Sequence, residues 1–311
     1  MFLPKKEIVR RYEGNPILTA DDMPFECSGV YNSGAVKFGD KYLMMLRVES
    51  IDITCCFIVA ESADGYNFTV RDKPIPMPVG DPEFDEYTSH LIYDPRVTPL
   101  EGRYYLNFAC HSDHGVRVGQ MVTDDFETYE WMGFASEIDN RNAVLFPEKV
   151  NGLYARLDRP LAQDDRANMW ISYSPDMVFW GKSRCVAKRA DNGNWQWQKI
   201  GAGAVPIKTK KGWLCITHAV HTMARYNYVY HLGAMLLDPA DPSVVIARSR
   251  APILSPRELY ERVGLTANVV FTSGAIVEPD GEVKIYYGGA DTVQCVGLST
   301  IDDLLHACLQ R

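Results

Sequence analysis

The stretch Ser33-Gly34-Ala35-Val36-Lys37-Phe38-Gly39-Asp40-Lys41-Tyr42-Leu43-Met44-Met45-Leu46-Arg47 decides the fold. Small and apolar residues lead into Gly39-Asp40, and an alternating aromatic and aliphatic run leads out. Two period-2 runs around such a dipeptide read as a β-hairpin, because glycine accepts the positive φ that a tight turn needs. The same grammar returns at residues 94–111, 142–159, 203–218 and 273–291. The turn glycines 39, 102, 152, 212 and 281 stand 63, 50, 60 and 69 residues apart, roughly the size of a propeller blade.

After each of these hairpins comes a second, more polar one. In the first three repeats it carries a Ser/Thr-x-Asp turn (Ser62-Ala63-Asp64, Thr123-Asp124-Asp125, Ser174-Pro175-Asp176) followed by an aromatic residue. Two hairpins make a four-stranded sheet, and five sheets make an all-β, five-bladed β-propeller that occupies residues 1–311 as a single domain. Residues 11–18 are expected to complete the last blade as an outer strand and close the ring. Helical pattern is confined to residues 256–262 and 302–309, the latter with Thr300 or Asp302 as N-cap.

The composition, 46% hydrophobic and 23% charged without low-complexity runs, excludes a disordered chain. A formal net charge of −8 argues against nucleic-acid or anionic-membrane partners, which need a basic face. No apolar run reaches signal-peptide or membrane-spanning length, so a cytoplasmic location is expected. The eight cysteines include no CxxC pair and are expected as buried free thiols.

In a propeller the corresponding blade ends meet near the axis although they lie far apart in sequence. That set comprises Asn32, Ser33, Asp94, Arg141 and Asn142 at strand starts, and Arg47, Arg159, His218 and Asp291 at strand ends. A lone Asp before proline is ordinarily a turn residue. Here two carboxylates and three arginines are directed to one place. The HxxH spacings His111-Ser112-Asp113-His114 and His218-Ala219-Val220-His221 would serve a metal on a helix, but along a strand they point the rings to opposite faces. No metal is expected; these histidines and Tyr226, Tyr228 and Tyr230 read better as contacts to sugar hydroxyls.

Six segments resemble the motifs of glycoside hydrolase family 130, the β-mannoside phosphorylases: Asn32-Ser33-Gly34-Ala35-Val36, Tyr93-Asp94-Pro95-Arg96-Val97-Thr98, residues 141–149, Arg156-Leu157-Asp158-Arg159-Pro160, Pro206-Ile207-Lys208-Thr209 with Gly212-Trp213-Leu214, and residues 286–292. The resemblance runs in order over nearly the whole chain. It implies a five-bladed propeller that cleaves a short β-mannoside, most readily β-1,4-linked, with inorganic phosphate as co-substrate, no cofactor, and inversion to α-mannose 1-phosphate. Asp94 matches the family's proton donor, which is thought to act through a substrate hydroxyl. Arg141, Arg159 and Lys208 match its phosphate-binding cations, and Asn32, Ser33, Arg47, Asn142 and Asp291 match residues of the mannose pocket. Asp158 stands where many members have histidine.

Physical logic points the same way. An inverting hydrolase needs an acid and a base roughly 6.5–9.5 Å apart, whereas a phosphorylase needs the acid and a cation cluster for its anionic nucleophile. A hydrolase on this scaffold, with Glu148 or Asp85 as base, and a non-catalytic carbohydrate-binding propeller are the other readings. The leaving sugar and the linkage are not legible. A homo-oligomer is compatible with the sequence, since Trp195-Gln196-Trp197 would suit an interface or a sugar platform.

Overall fold

The computed structural model describes residues 7–52, 54–161, 166–190, 194–223 and 227–310. Its strands form five antiparallel sheets, each a blade that meanders outward from the axis. Blade one is Cys27–Phe38, Lys41–Ser50, Cys55–Ser62 and Thr69–Val70. Blade two is Leu91–Leu100, Arg103–Ser112, Gly115–Thr123 and Glu130–Phe134. Blade three is Asn140–Leu145, Tyr154–Pro160, Met169–Ser174 and Gly181–Ala187. In blade four the inner strand is broken into Lys199–Ala202 and Ile207–Thr209, both paired with Gly212–Met223, and Asn227–Leu237 and Val245–Arg248 follow. Blade five is Val270–Val277, Glu282–Gly289 and Val293–Thr300. All five turn glycines have positive φ, from 61° at Gly39 to 134° at Gly212, as the hairpin reading requires.

The fourth strand of blade five comes from the start of the chain. Arg10–Arg11 pairs with Leu298 and Gly297, and the Asn15 side chain exchanges two 2.8 Å hydrogen bonds with the backbone of Val296. Only the first part of the expected outer strand is regular, with Leu18 rejoining the sheet as an isolated bridge to Gln294. The closure is fastened by a buried bidentate pair: Arg11 Nε and Nη2 each donate at 2.8 Å to the Glu261 carboxylate, on the short helix Leu259–Arg262. Tyr287 and the backbone amides of Arg257 and Glu258 also donate to Glu261, so its charge is fully satisfied. The terminal helix Ile301–Leu309 is capped by Thr300, whose hydroxyl accepts from the Asp303 amide.

Apolar side chains on facing sheets fill the gaps between blades, and the filling is uneven. Among the described residues, clusters of fourteen to sixteen buried apolar residues occupy the gaps between blades four and five, five and one, one and two, and three and four. Between blades two and three there are only two small groups, of five and three residues. The eight cysteines are all free, with Cys110, Cys215, Cys295 and Cys308 buried. Trp195 is not an exposed platform: it is buried, donates its indole N–H to the Arg250 carbonyl at 3.0 Å and packs edge-on against His231.

Candidate active site

Three inner strands carry a β-bulge at the same level. The register slips between Tyr31 and Gly34 in blade one, Tyr93 and Arg96 in blade two, and Arg141 and Val144 in blade three. At each slip a residue takes the left-handed conformation: Asn32 (φ 52°), Asp94 (φ 55°) and Asn142 (φ 57°). Asn and Asp are the side chains that tolerate this region best, and a bulge re-aims a side chain out of the strand's alternation. All three line one cavity of about 240 Å³ at the axis.

One wall of that cavity is acidic. Asn32 Nδ2 donates to Asp94 Oδ1 at 3.1 Å and to Asp291 Oδ1 at 3.4 Å, tying blades one, two and five together. Arg47 Nη1 donates to the same Asp94 oxygen at 3.2 Å, and its guanidinium lies over the rings of Tyr31 (4.4 Å) and Tyr93 (5.3 Å). Its Nη2 reaches Glu49 at 3.3 Å, and Glu49 in turn accepts from the Tyr31 hydroxyl. Burial pushes the Asp291 carboxyl up to about 6, against the pull of Arg47.

The other wall is cationic. Arg141 and Arg159 are direct cross-strand partners in blade three, and both line the cavity. Arg159 Nη1 lies 2.8 Å from His218 Nε2, while His218 Nδ1 lies 3.0 Å from the Ala202 carbonyl. The carbonyl takes the Nδ1 proton, so Nε2 accepts from the arginine, which requires a neutral ring. Burial and then the charge of Arg159 hold the His218 pKa well below its ordinary value and keep the ring neutral. Among the described residues no carboxylate lies within ion-pair distance of Arg141 or Arg159, and the buried Nε of each, like Asn142 Nδ2, has no hydrogen-bond partner. Two arginines without a counter-charge among the described residues suit a polyanionic ligand.

The structure thus brings Asn32, Arg47, Asp94, Arg141, Asn142, Arg159 and Asp291 together, joined by Tyr93, His111, Tyr230 and Phe271. Ser33 is a correction. It follows the bulge, so alternation turns it away from the cavity, fully buried, with its amide donating to Gln294 Oε1 at 3.3 Å. His218 acts behind Arg159 rather than at the cavity surface, and Tyr226 lies outside the described residues. Lys208 is also a correction. It pairs with Trp213 beside the Gly212 turn, five residues along the strand from His218 and so roughly 17 Å away. There its side chain is 60% exposed and bound to Glu148 at the opposite rim of the blades.

The lysine that does lie near the cationic wall is Lys199, at the start of blade four's inner strand, two residues before the partner of His218. It is buried, its Nζ sits 4.9 Å from the ring of Tyr228, and its charge bears on His218. Asp158 faces away from the cavity, on the blade's other side, 2.7 Å from Arg156 and accepting from the Ser172 hydroxyl at 2.6 Å. Its departure from histidine therefore leaves the cationic wall untouched. Neither expected base is in the site. Glu148 is bound to Lys208, and Asp85 lies on the helix Pro82–Tyr87, accepting from the Gly80 amide. His114 reaches Glu86 and His221 reaches His231, and among the described residues no group of three ligating side chains is placed to hold a metal.

A five-bladed propeller whose axis carries a hydrogen-bonded acid facing paired arginines defines a glycan-cleaving enzyme of the phosphorylase type. The chain belongs to glycoside hydrolase family 130, whose description, beta-1,4-mannooligosaccharide phosphorylase, matches over residues 3–310. It is 32% identical to a beta-1,2-mannobiose phosphorylase of Listeria innocua, covering 96% of this chain and 98% of that protein. It is 34% identical to a beta-1,4-mannooligosaccharide phosphorylase of Ruminococcus albus, covering 96% and 90%. The solved beta-1,2-mannobiose complex of the Listeria innocua enzyme superposes with a TM-score of 0.87 at 31% identity, over 96% of this chain and 99% of that one.

Proposed function

We propose that this chain catalyses the inverting phosphorolysis of a short β-mannoside. Phosphate sits against Arg141, Arg159 and Lys199 and attacks the anomeric carbon. The bond to the leaving sugar's oxygen breaks, that oxygen gains the proton supplied by Asp94, and α-mannose 1-phosphate and a shorter sugar leave. Asn32, Arg47 and Asp291 hold the mannose ring and the acid in register.

The observation that carries this reading is the division of the cavity into a wall holding Asp94 and a wall holding Arg141 and Arg159, which among the described residues have no carboxylate at ion-pair distance. A hydrolase would need a second carboxylate across the sugar ring from the acid. Asp291 shares the Asn32 amide with Asp94 and so stands on the same wall. Relatives of similar identity carry β-1,2 and β-1,4 names; β-1,4 is the linkage tested first because the family description names it.

The test is release of reducing sugar from β-1,4-mannobiose, β-1,2-mannobiose and β-1,4-mannosyl-glucose, with and without inorganic phosphate. Strict phosphate dependence with mannose 1-phosphate as product is expected. Equal release without phosphate would make water the nucleophile and overturn the proposal.

A further inference from the structure

The thinly filled gap between blades two and three holds a cleft of about 550 Å³, larger than the axial cavity. Its floor is the face of blade three turned away from the active site. Because side chains alternate across a strand, Arg159 points to the axis while Arg156 and Asp158 point into this cleft. Asp158 and Trp170 are direct cross-strand partners, as are Arg156 and Ser172, so all four share that face. Arg156 also donates to the Ala135 carbonyl at 2.7 Å and lies 4.1 Å over the ring of Trp180. Ser183 lies 3.0 Å from the Ser172 hydroxyl and extends this polar row to the surface.

A comparison within the chain singles out the rim. The Ser/Thr-x-Asp turn recurs in blades one, two and three, with the aspartate accepting from the amides two and three residues on in each. The tip residues are Tyr66-Asn67 in blade one and Glu127-Thr128 in blade two. In blade three they are Val178-Phe179, 56% and 74% exposed, and they border the cleft. Turn geometry requires nothing apolar there, since blade two closes the same turn with Glu127-Thr128, and the blade-one ring, Tyr66, is half-buried against Tyr12. Exposed rings beside buried hydrogen-bonding groups mark a binding surface.

We propose that this cleft binds a chain of β-linked hexopyranose units, as a saccharide site separate from the catalytic cavity. Each pyranose offers an apolar C–H face for Trp170, Trp180 and Phe179, and equatorial hydroxyls for Ser183 and Asn140, while Asp158 stays buried beneath them, holding Arg156 and Ser172 in place. The volume falls within the roughly 300–1,000 Å³ of small-ligand sites. A second protein would instead need a face of about 800 Å², whereas this feature is a narrow cleft edged by the charges of Arg117 and Glu137. The site would tether a long glycan while its end is processed elsewhere, raising the local concentration of chain ends. The proposal does not depend on phosphorolysis.

The experiment is native electrophoresis through gels containing linear β-1,4-mannan, in phosphate-free buffer, with size-exclusion chromatography and disaccharide turnover measured alongside. Wild-type protein should be retarded. Phe179→Ala, which removes an exposed ring, and Ser183→Trp, which fills the cleft, should each weaken retardation about five- to tenfold. Both should keep wild-type elution and disaccharide turnover within about twofold, because neither residue touches the axial cavity. Absence of retardation in the wild type, or unchanged retardation in both variants, overturns the proposal. A shift in oligomeric mass in the variants overturns it in favour of a second copy of the chain as occupant.

Discussion

Arg141 and Arg159 stand directly opposite each other on the first two strands of blade three, Cα partners across an antiparallel pair. Like charges in that position destabilise a sheet, so the pair favours a bound anion. Inorganic phosphate should therefore raise the melting temperature of the wild type. Arg141→Ala should abolish that rise and increase the KM for phosphate about 10- to 100-fold, the loss of one charge-assisted hydrogen-bonding group. Calorimetry with and without phosphate, together with initial rates, checks both; a melting temperature indifferent to phosphate would count against the site.

Asp94→Asn preserves the backbone, because asparagine accepts the left-handed φ of 55° as readily as aspartate. Turnover should fall by about 10²–10⁴, the usual contribution of a general acid. The melting temperature should stay within a few degrees. Loss of folding in place of loss of rate would show that the residue serves structure.

The two lysines should separate cleanly. Lys208→Ala breaks an exposed surface pair, which carries about 0–1 kcal/mol, and should leave kcat and both KM values within about twofold. Lys199→Ala removes a buried cation beside His218 and Tyr228 and should raise the phosphate KM about tenfold or more. Steady-state kinetics on the two proteins decides the matter, and the reverse ranking would return Lys208 to the site.

Asp291 predicts a pH dependence of stability. Its folded carboxyl titrates near 6 against an ordinary 3.8, so between those values the folded chain holds a proton that the unfolded chain has released. Stability therefore falls as pH rises through that window, and the loss is complete above it. Asp291→Asn should remove this slope and gain on the wild type from pH 4 to pH 7. The gain is on the order of 1–2 kcal/mol, since the side chain opens partly to the cavity. Denaturant titrations at several pH values would reveal the slope or its absence.

Glu261→Gln takes away the buried, bidentate counter-charge of Arg11 and leaves it only the part-exposed Glu7 carboxylate, 3.0 Å from Nη1. Breaking such a pair costs about 3–5 kcal/mol, and the loss should appear as a lower denaturant midpoint. A double variant with Arg11→Met should recover part of it, because two neutral side chains no longer strand a charge.

The blade count was readable because each turn glycine is a local demand: the hairpin needs a positive φ, and the residue that supplies it is printed in the sequence. Asn32, Asp94 and Asn142 were readable for a related reason, since they recur at one place in three repeats. Blade four hid its lysine because the inner strand is interrupted between Ala202 and Ile207. The repeat that begins at Gly203 lies beyond the break and does not include Lys199. At Ser33 the bulge changes which neighbour faces inward, a shift that alternation alone does not reveal. The role of His218 depends on Arg159 lying against it, and the cleft between blades two and three depends on how much side-chain volume two distant segments bring to one gap. Neither is a property of any short window.

Asn32 belongs to the first blade, Asp291 to the last, and the sheet that presents Asp291 is completed by Arg10–Arg11. During synthesis the amide of Asn32 leaves the ribosome some 260 residues before the second carboxylate that it will hold, and the outer strand must stay unpaired for longer still. Catalytic competence therefore arrives abruptly, when the ring shuts. A nascent or truncated chain with four finished blades would have most of its mass folded and no working centre.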